Sequence, residues 1–193
     1  MEFWISIRMF VTMSILTGIL YPLGVTALGQ GLFAKQANGS LINQNQKISG
    51  SVLIAQKFTQ AKYFWPRPSA GDYATVASGA SNKGPTSADL KKAVIERADA
   101  LRKAHGLAAD AKVPEDLLLA SGSGLDPEIS PEAAHFQASR VAHARQLSEA
   151  TVRKLVESLK AARQFGILGE ERINVLTLNL ALDQLSSSTI QNK

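Results

Sequence analysis

A chain of 193 residues, 45% hydrophobic and 19% charged, can hold one compact domain plus an appendage and is too apolar to remain disordered. Its formal charge of +5 comes from Lys and Arg interleaved with acids, as between Lys91 and Lys103, so it lacks the clustered basic face that nucleic-acid binding requires. With no cysteine, disulfides, thiolate metal sites and cysteine nucleophiles are excluded.

From Met9 to Gly29 about 21 residues pass without a charge, close to the length needed to cross a ~30 Å hydrocarbon core. This predicts one transmembrane helix within residues 1–30, with Trp4 at the interface and Arg8 at the inner edge. The basic residue before the span favours an N-terminus-in orientation, with the soluble domain exported. Ser14 and Gly18 form a small-xxx-small pair on one face, suited to packing against another membrane helix. The competing reading is a signal peptide cleaved after Val25, Thr26 and Ala27, leaving a periplasmic binding protein or enzyme that acts alone.

Residues 31–49 are polar and without sustained period; they read as a linker with room for one short strand. A soluble α/β or α+β domain is expected over 50–193. Val52, Leu53 and Ile54 predict a short buried strand. In YFWPRPSA, Pro66 and Pro68 force extended geometry on Trp65 and Arg67. The turn at Asn82 to Pro85 leads to a helix capped by Thr86 or Ser87, helped by Asp89 in a capping-box-like start and ended by Gly106. Leu117 to Leu119 suggest another strand. Ser130 followed by Pro131 and Glu132 starts a helix to about Arg145, and Ser148 caps a further one that Gly166 should stop. Ile173, Val175 and Thr177 alternate as a strand running into a short helix near Leu180 to Leu185.

A search for chemistry finds little. Gly79 to Thr86 (GASNKGPT) has the glycines and threonine of a phosphate-binding loop, but Pro85 stands where that loop needs lysine and removes an N–H donor. His105, His135 and His143 lack the spacing of a helical zinc site and read as solvated surface groups. Ala120 to Gly124 (ASGSG) lacks a nucleophile elbow. No catalytic residue and no metal ligand is therefore expected. The aromatics Tyr63, Phe64 and Trp65 with Arg67 read either as a small core with an arginine ion pair or as a docking surface, since Tyr, Trp and Arg are enriched at interface hot spots.

Six segments in order, GSVLIAQ (Gly50 to Gln56), YFWPRPSA (Tyr63 to Ala70), ASGASNKGPT (Ala77 to Thr86), ASGSGLDPEISPEAA (Ala120 to Ala134), RVAHAR (Arg140 to Arg145) and RINVLTLNLALD (Arg172 to Asp183), resemble the KdpC family of the Kdp potassium-transporting P-type ATPase. Ala55 and Ala80 stand where that family usually has glycine, which removes any role needing positive φ there, and Glu128 stands where histidine is frequent. The resemblance implies a non-catalytic, single-pass accessory subunit that assembles with three partners. These are a channel-like subunit that carries potassium, a P-type ATPase subunit that hydrolyses ATP, and a small stabilising subunit. It also implies a catalytic chaperone that raises the pump subunit's ATP affinity, with Ser121, Gly122, Ser123, Gly124 and Gln137 as nucleotide contacts and no tightly bound cofactor. An exported domain conflicts with direct contact to cytoplasmic ATP. For assembly, the Ser14/Gly18 face and the Tyr63 to Arg67 segment would meet the channel-like subunit.

Overall fold

The computed structural model describes the backbone of residues 2–44 and 47–191 and side chains as far as residue 185. Met1 and Lys193, the outer limits of the expected segments, and Asn45 and Gln46 of the expected linker lie outside the described residues. The chain divides into two compact units between Ser51 and Val52.

The first unit is dominated by a helix over Glu2–Leu32, long and apolar enough to cross a membrane, with none of its most apolar window buried. It consists of α1 (Glu2–Ile15), a π-helical turn (Leu16–Leu20) and α2 (Tyr21–Leu32). The turn answers Pro22, which has no N–H and whose ring would strike the carbonyl four residues back, that of Gly18. One widened turn relieves this, and the Tyr21 N–H donates to the Leu16 carbonyl instead of an α-helical partner. Val25 to Ala27 lie inside α2. The residues read as a linker contain a short helix α3 (Ala34–Ala37) and an antiparallel hairpin of β1 (Leu41–Gln44) and β2 (Lys47–Ser51), with an irregularity between Ile42 and Asn43.

The second unit is helical around one core. Its elements are α4 (Ala88–His105), β3 (Glu128–Ile129), α5 (Pro131–Arg145), α6 (Glu149–Ser158), β4 (Ile173–Asn174) and α7 (Val175–Gln191). The strands β3 and β4 pair antiparallel, Glu128 opposite Asn174 and Ile129 opposite Ile173. Mixed helices with small antiparallel sheets give the α+β form of the expected fold class.

The side-chain caps fall where the sequence puts them. Ser87, Ser130 and Ser148 accept the N–H groups of Leu90, Ala133 and Thr151, and Gly106 closes α4 at φ 64°. Asp89 does not complete a capping box; its carboxylate pairs with Lys83 at 3.2 Å. The buried face of α5 is mostly alanine (Ala133, Ala134, Ala138, Ala142) with Val141, so Val152 and Val156 of α6 and Leu178 and Leu182 of α7 join it in one cluster.

Two strand expectations fail and a third is cut short. Val52 to Ile54 form a turn rather than a strand, with Leu53 and Ile54 exposed. Leu117 closes a 3-10 turn, Glu115–Leu117, because Pro114 sets the chain for a turn in which its own carbonyl accepts the Leu117 N–H at 3.1 Å. The expected strand from Ile173 holds only through Asn174, which pairs with Glu128; the chain turns helical at Val175, where Asn174 Oδ1 accepts the Thr177 N–H at 3.0 Å, an N-cap bond that starts α7. The helix α6 ends at Ser158, well before Gly166, because Ala161 and Arg172 exchange backbone bonds of 2.8 and 3.1 Å and draw the chain into a hairpin.

Leu182, fully buried in this cluster, is the side chain to truncate: Leu182→Ala is expected to destabilise the chain by about 2–5 kcal/mol, read as a lowered urea midpoint of the detergent-solubilised protein.

Candidate functional site

Pro66 and Pro68 keep the chain extended through YFWPRP, yet among the described residues no strand lies beside it, so its backbone polar groups need other partners. Side-chain amides supply them. Asn179 of α7 accepts the Phe64 N–H at 2.8 Å and donates to the Phe64 carbonyl at 3.0 Å. Gln137 of α5 accepts the Trp65 N–H at 2.7 Å and donates to the Trp65 carbonyl at 3.1 Å. Each amide thus imitates one residue of a neighbouring strand, and both are buried.

Two arginines extend the grip. Arg140 donates to the carbonyls of Ala61 and Tyr63, to Gln137 Oε1 and to His105 Nε2, and its guanidinium lies 4.0 Å from the Trp65 ring centre, a cation–π stack. All four acceptors are neutral, so burial pushes its pKa down to about 10, still cationic at neutral pH. Arg145 donates to the Lys62 carbonyl at 2.7 Å and pairs with Asp183 at 2.7 Å, while Tyr63 donates to the same carboxylate at 3.2 Å.

His105 completes the cluster. Because Arg140 donates to its Nε2, the imidazole carries its proton on Nδ1 and gives it to the Leu101 carbonyl at 2.7 Å. Burial lowers its pKa, and the adjacent Arg140 charge acts in the same direction. His105 is therefore no solvated surface group. Neither is His135, whose Nε2 lies 2.6 Å from Glu157; His143 alone is exposed.

Of the residues read as a docking surface, Phe64 is fully buried in the core and offers no surface. Tyr63 and Trp65 are half-buried, and Arg67 pairs with Asp126 at 3.0 Å. The core reading accounts for most of this segment, with the outer edges of Tyr63, Trp65 and Arg67 left to meet a partner.

The residues read as nucleotide contacts attach to the same segment one after another. Gln137 has both amide atoms on Trp65 and no exposed surface. The Ser121 N–H donates to the Pro68 carbonyl at 3.3 Å and the Gly124 N–H to the Ser121 carbonyl at 3.3 Å. Gly124 sits at φ 69°, and a Cβ there would come within 2.8 Å of the Gly79 carbonyl, so only glycine fits. Gly122 and Ser123 remain exposed. Beside this loop a cleft of about 370 Å³ is lined by Ser69, Ser81, Lys83, Arg97 and Ala120. Its cations are engaged, Lys83 by Asp89 and Arg97 by the Leu118 carbonyl at 2.7 Å.

Ala55 is buried and donates to the Leu125 carbonyl at 2.9 Å. Neither it nor Ala80 is among the described residues at positive φ, so alanine is sterically free at both positions. On the span, Ser14 is exposed and Gly18 lies in the π-helical turn with open space around it. Sequence reasoning missed Asn179, Arg140, Arg145 and Asp183. The available signal was a polar amide embedded in the apolar run Leu178 to Leu182, which a helix buries only when its hydrogen bonds are met.

Two outcomes follow from the clamp. Asn179→Leu leaves the Phe64 N–H and carbonyl unpaired in the interior and is expected to cost about 2–6 kcal/mol, measured by urea unfolding. Since the folded pKa of His105 lies below its ordinary 6.5, its contribution to stability is complete above that value. It is lost as pH falls below it, because the unfolded chain then binds a proton the folded chain refuses. The melting temperature should therefore fall between about pH 7 and pH 5 more steeply in the native chain than in His105→Gln.

The family model described as "K+-transporting ATPase, c chain" matches residues 3–184. Among curated relatives, the potassium-transporting ATPase KdpC subunit of Mycobacterium tuberculosis (strain H37Rv) is 51% identical over 182 residues, covering 93% of this chain and 96% of the relative. The subunit of the same name from Methylococcus capsulatus is 52% identical over 183 residues, covering 93% and 96%. That of Burkholderia mallei is 51% identical over 180 residues, covering 92% and 93%.

Proposed function

The chain belongs to the KdpC family of K+-transporting ATPase chains, and from that premise we propose that it is the non-catalytic accessory subunit of an ATP-driven potassium uptake complex. In this reading it joins the channel-like potassium-carrying subunit, the ATP-hydrolysing P-type subunit and the small stabilising subunit in the bacterial inner membrane. The observation that carries the proposal is the Glu2–Leu32 helix, of membrane length and with its most apolar window unburied by its own chain. In a bilayer such a helix is a packing surface, and the small residues Ser14 and Gly18 let a neighbouring helix approach closely.

Arg8 at the start of the span supports a periplasmic soluble unit. The geometry of the nucleotide candidates supports the same side. Gln137 is spent on Trp65, and the Ser121 and Gly124 N–H groups are spent on protein carbonyls, leaving little to hold a phosphate. A chaperone effect on the pump subunit's ATP affinity then acts through assembly, the soluble unit steadying the channel-like subunit at the ion entrance, and not through a nucleotide seat here.

The test is topology together with intact mass. A reporter active only outside the cytoplasm, fused after residue 193, should give signal, and the chain should copurify with the other subunits at full mass. Gly18→Leu should reduce that copurification about tenfold or more. A signal from a cytoplasm-only reporter would overturn the orientation, and loss of the leading residues up to about Ala27 would favour a signal-cleaved protein acting alone.

A further inference from the structure

Between α6 and β4 the chain forms a narrow hairpin whose tip is apolar and exposed: Phe165, Ile167 and Leu168 are 90%, 76% and 54% exposed. The tip is nonetheless ordered. Ala161 and Arg172 exchange two backbone bonds at its base, and Gln164 and Leu168 exchange two more of 2.9 Å each below the turn. Phe165 stands at φ 54°, a left-handed conformation bulky side chains rarely adopt, followed by Gly166 at φ 77°. Three apolar side chains held together in water on a hydrogen-bonded turn form the kind of exposed patch that marks an interaction site.

The charges on this arm point to the kind of partner. Arg163 pairs with Glu170 at 2.6 Å, Lys160 with Glu171 at 3.1 Å and Glu157 at 3.3 Å, and Arg172 with Glu128 at 3.0 Å. Every charged residue from Lys160 to Arg172 is thereby neutralised within the domain. A loop that enters a lipid surface relies on free Lys or Arg for phosphate headgroups, and here the basic groups are occupied while two carboxylates flank the tip. A protein interface instead wants an apolar centre depleted of charge, set in a polar rim.

We infer that the Phe165 to Leu168 tip is a preformed plug that seats in a neutral, apolar cleft of a companion protein chain. This rests on the accessory-subunit reading. Because the hairpin is already ordered, seating it loses little conformational entropy, and Phe165 serves as the anchor.

The test uses the complete complex in vesicles. With a photo-crosslinking phenylalanine analogue at position 165, irradiation should join this chain to another protein of the complex. Phe165→Asp combined with Ile167→Asp should lower copurification about tenfold or more, while the thermal melt of the purified chain stays unchanged. Crosslinks to lipid alone, or undiminished copurification of the double variant, would overturn the plug. Failure of the native chain itself to copurify would sink the accessory-subunit reading and the plug with it, so the two failures are distinguishable.

Discussion

Residues 64–68, held extended by Pro66 and Pro68, have no described strand beside them, and the second unit is organised around satisfying them. A buried backbone N–H or carbonyl without a partner costs about 1–3 kcal/mol, and Phe64 and Trp65 each present both. Asn179 and Gln137 meet all four with reciprocal amide bonds. That requirement fixes which faces of α5 and α7 turn inward, and the apolar residues beside the amides, Ala138, Val141, Leu178 and Leu182, follow into the core.

The same arrangement limits what the domain does. Arg140, Gln137 and His105 form a buried network with aromatic packing against Trp65, a combination that in another setting would suggest binding or proton transfer. Here Gln137 and Arg140 are spent on the segment, with His105 accepting from Arg140 and donating to Leu101, and Gln137, which the family resemblance offers as a nucleotide contact, is one of the fixings. Tyr63, Trp65 and Arg67 keep partly exposed outer edges.

Much of the helical framework was legible because caps are local chemistry. Ser87, Ser130 and Ser148 each precede a helix, Pro131 fills a position whose N–H is not needed, and Gly106 takes the left-handed turn. The strands were legible only in part: Ile173 does begin one, but whether Val52 to Ile54 extends, or how far past Asn174 the chain stays extended, depends on a partner far along the chain. Asn174 shows the ambiguity: it sits in an alternating apolar run, yet its side chain caps a helix. The clamp was hidden for a similar reason. Asn179 and Gln137 lie 115 and 72 residues from the backbone they hold, and no spacing within either helix reveals the pairing. The π-helical turn could have been anticipated at Pro22, where a helix interior must give way.

The most direct test of this account is hydrogen exchange at the amides of Phe64 and Trp65 in the folded chain. If Asn179 and Gln137 hold them as described, both amides exchange as slowly as those in the interior of α5, though they belong to no helix or strand. Exchange as rapid as that of the exposed Gly122 and Ser123 would contradict the clamp and, with it, the organisation of the domain around it.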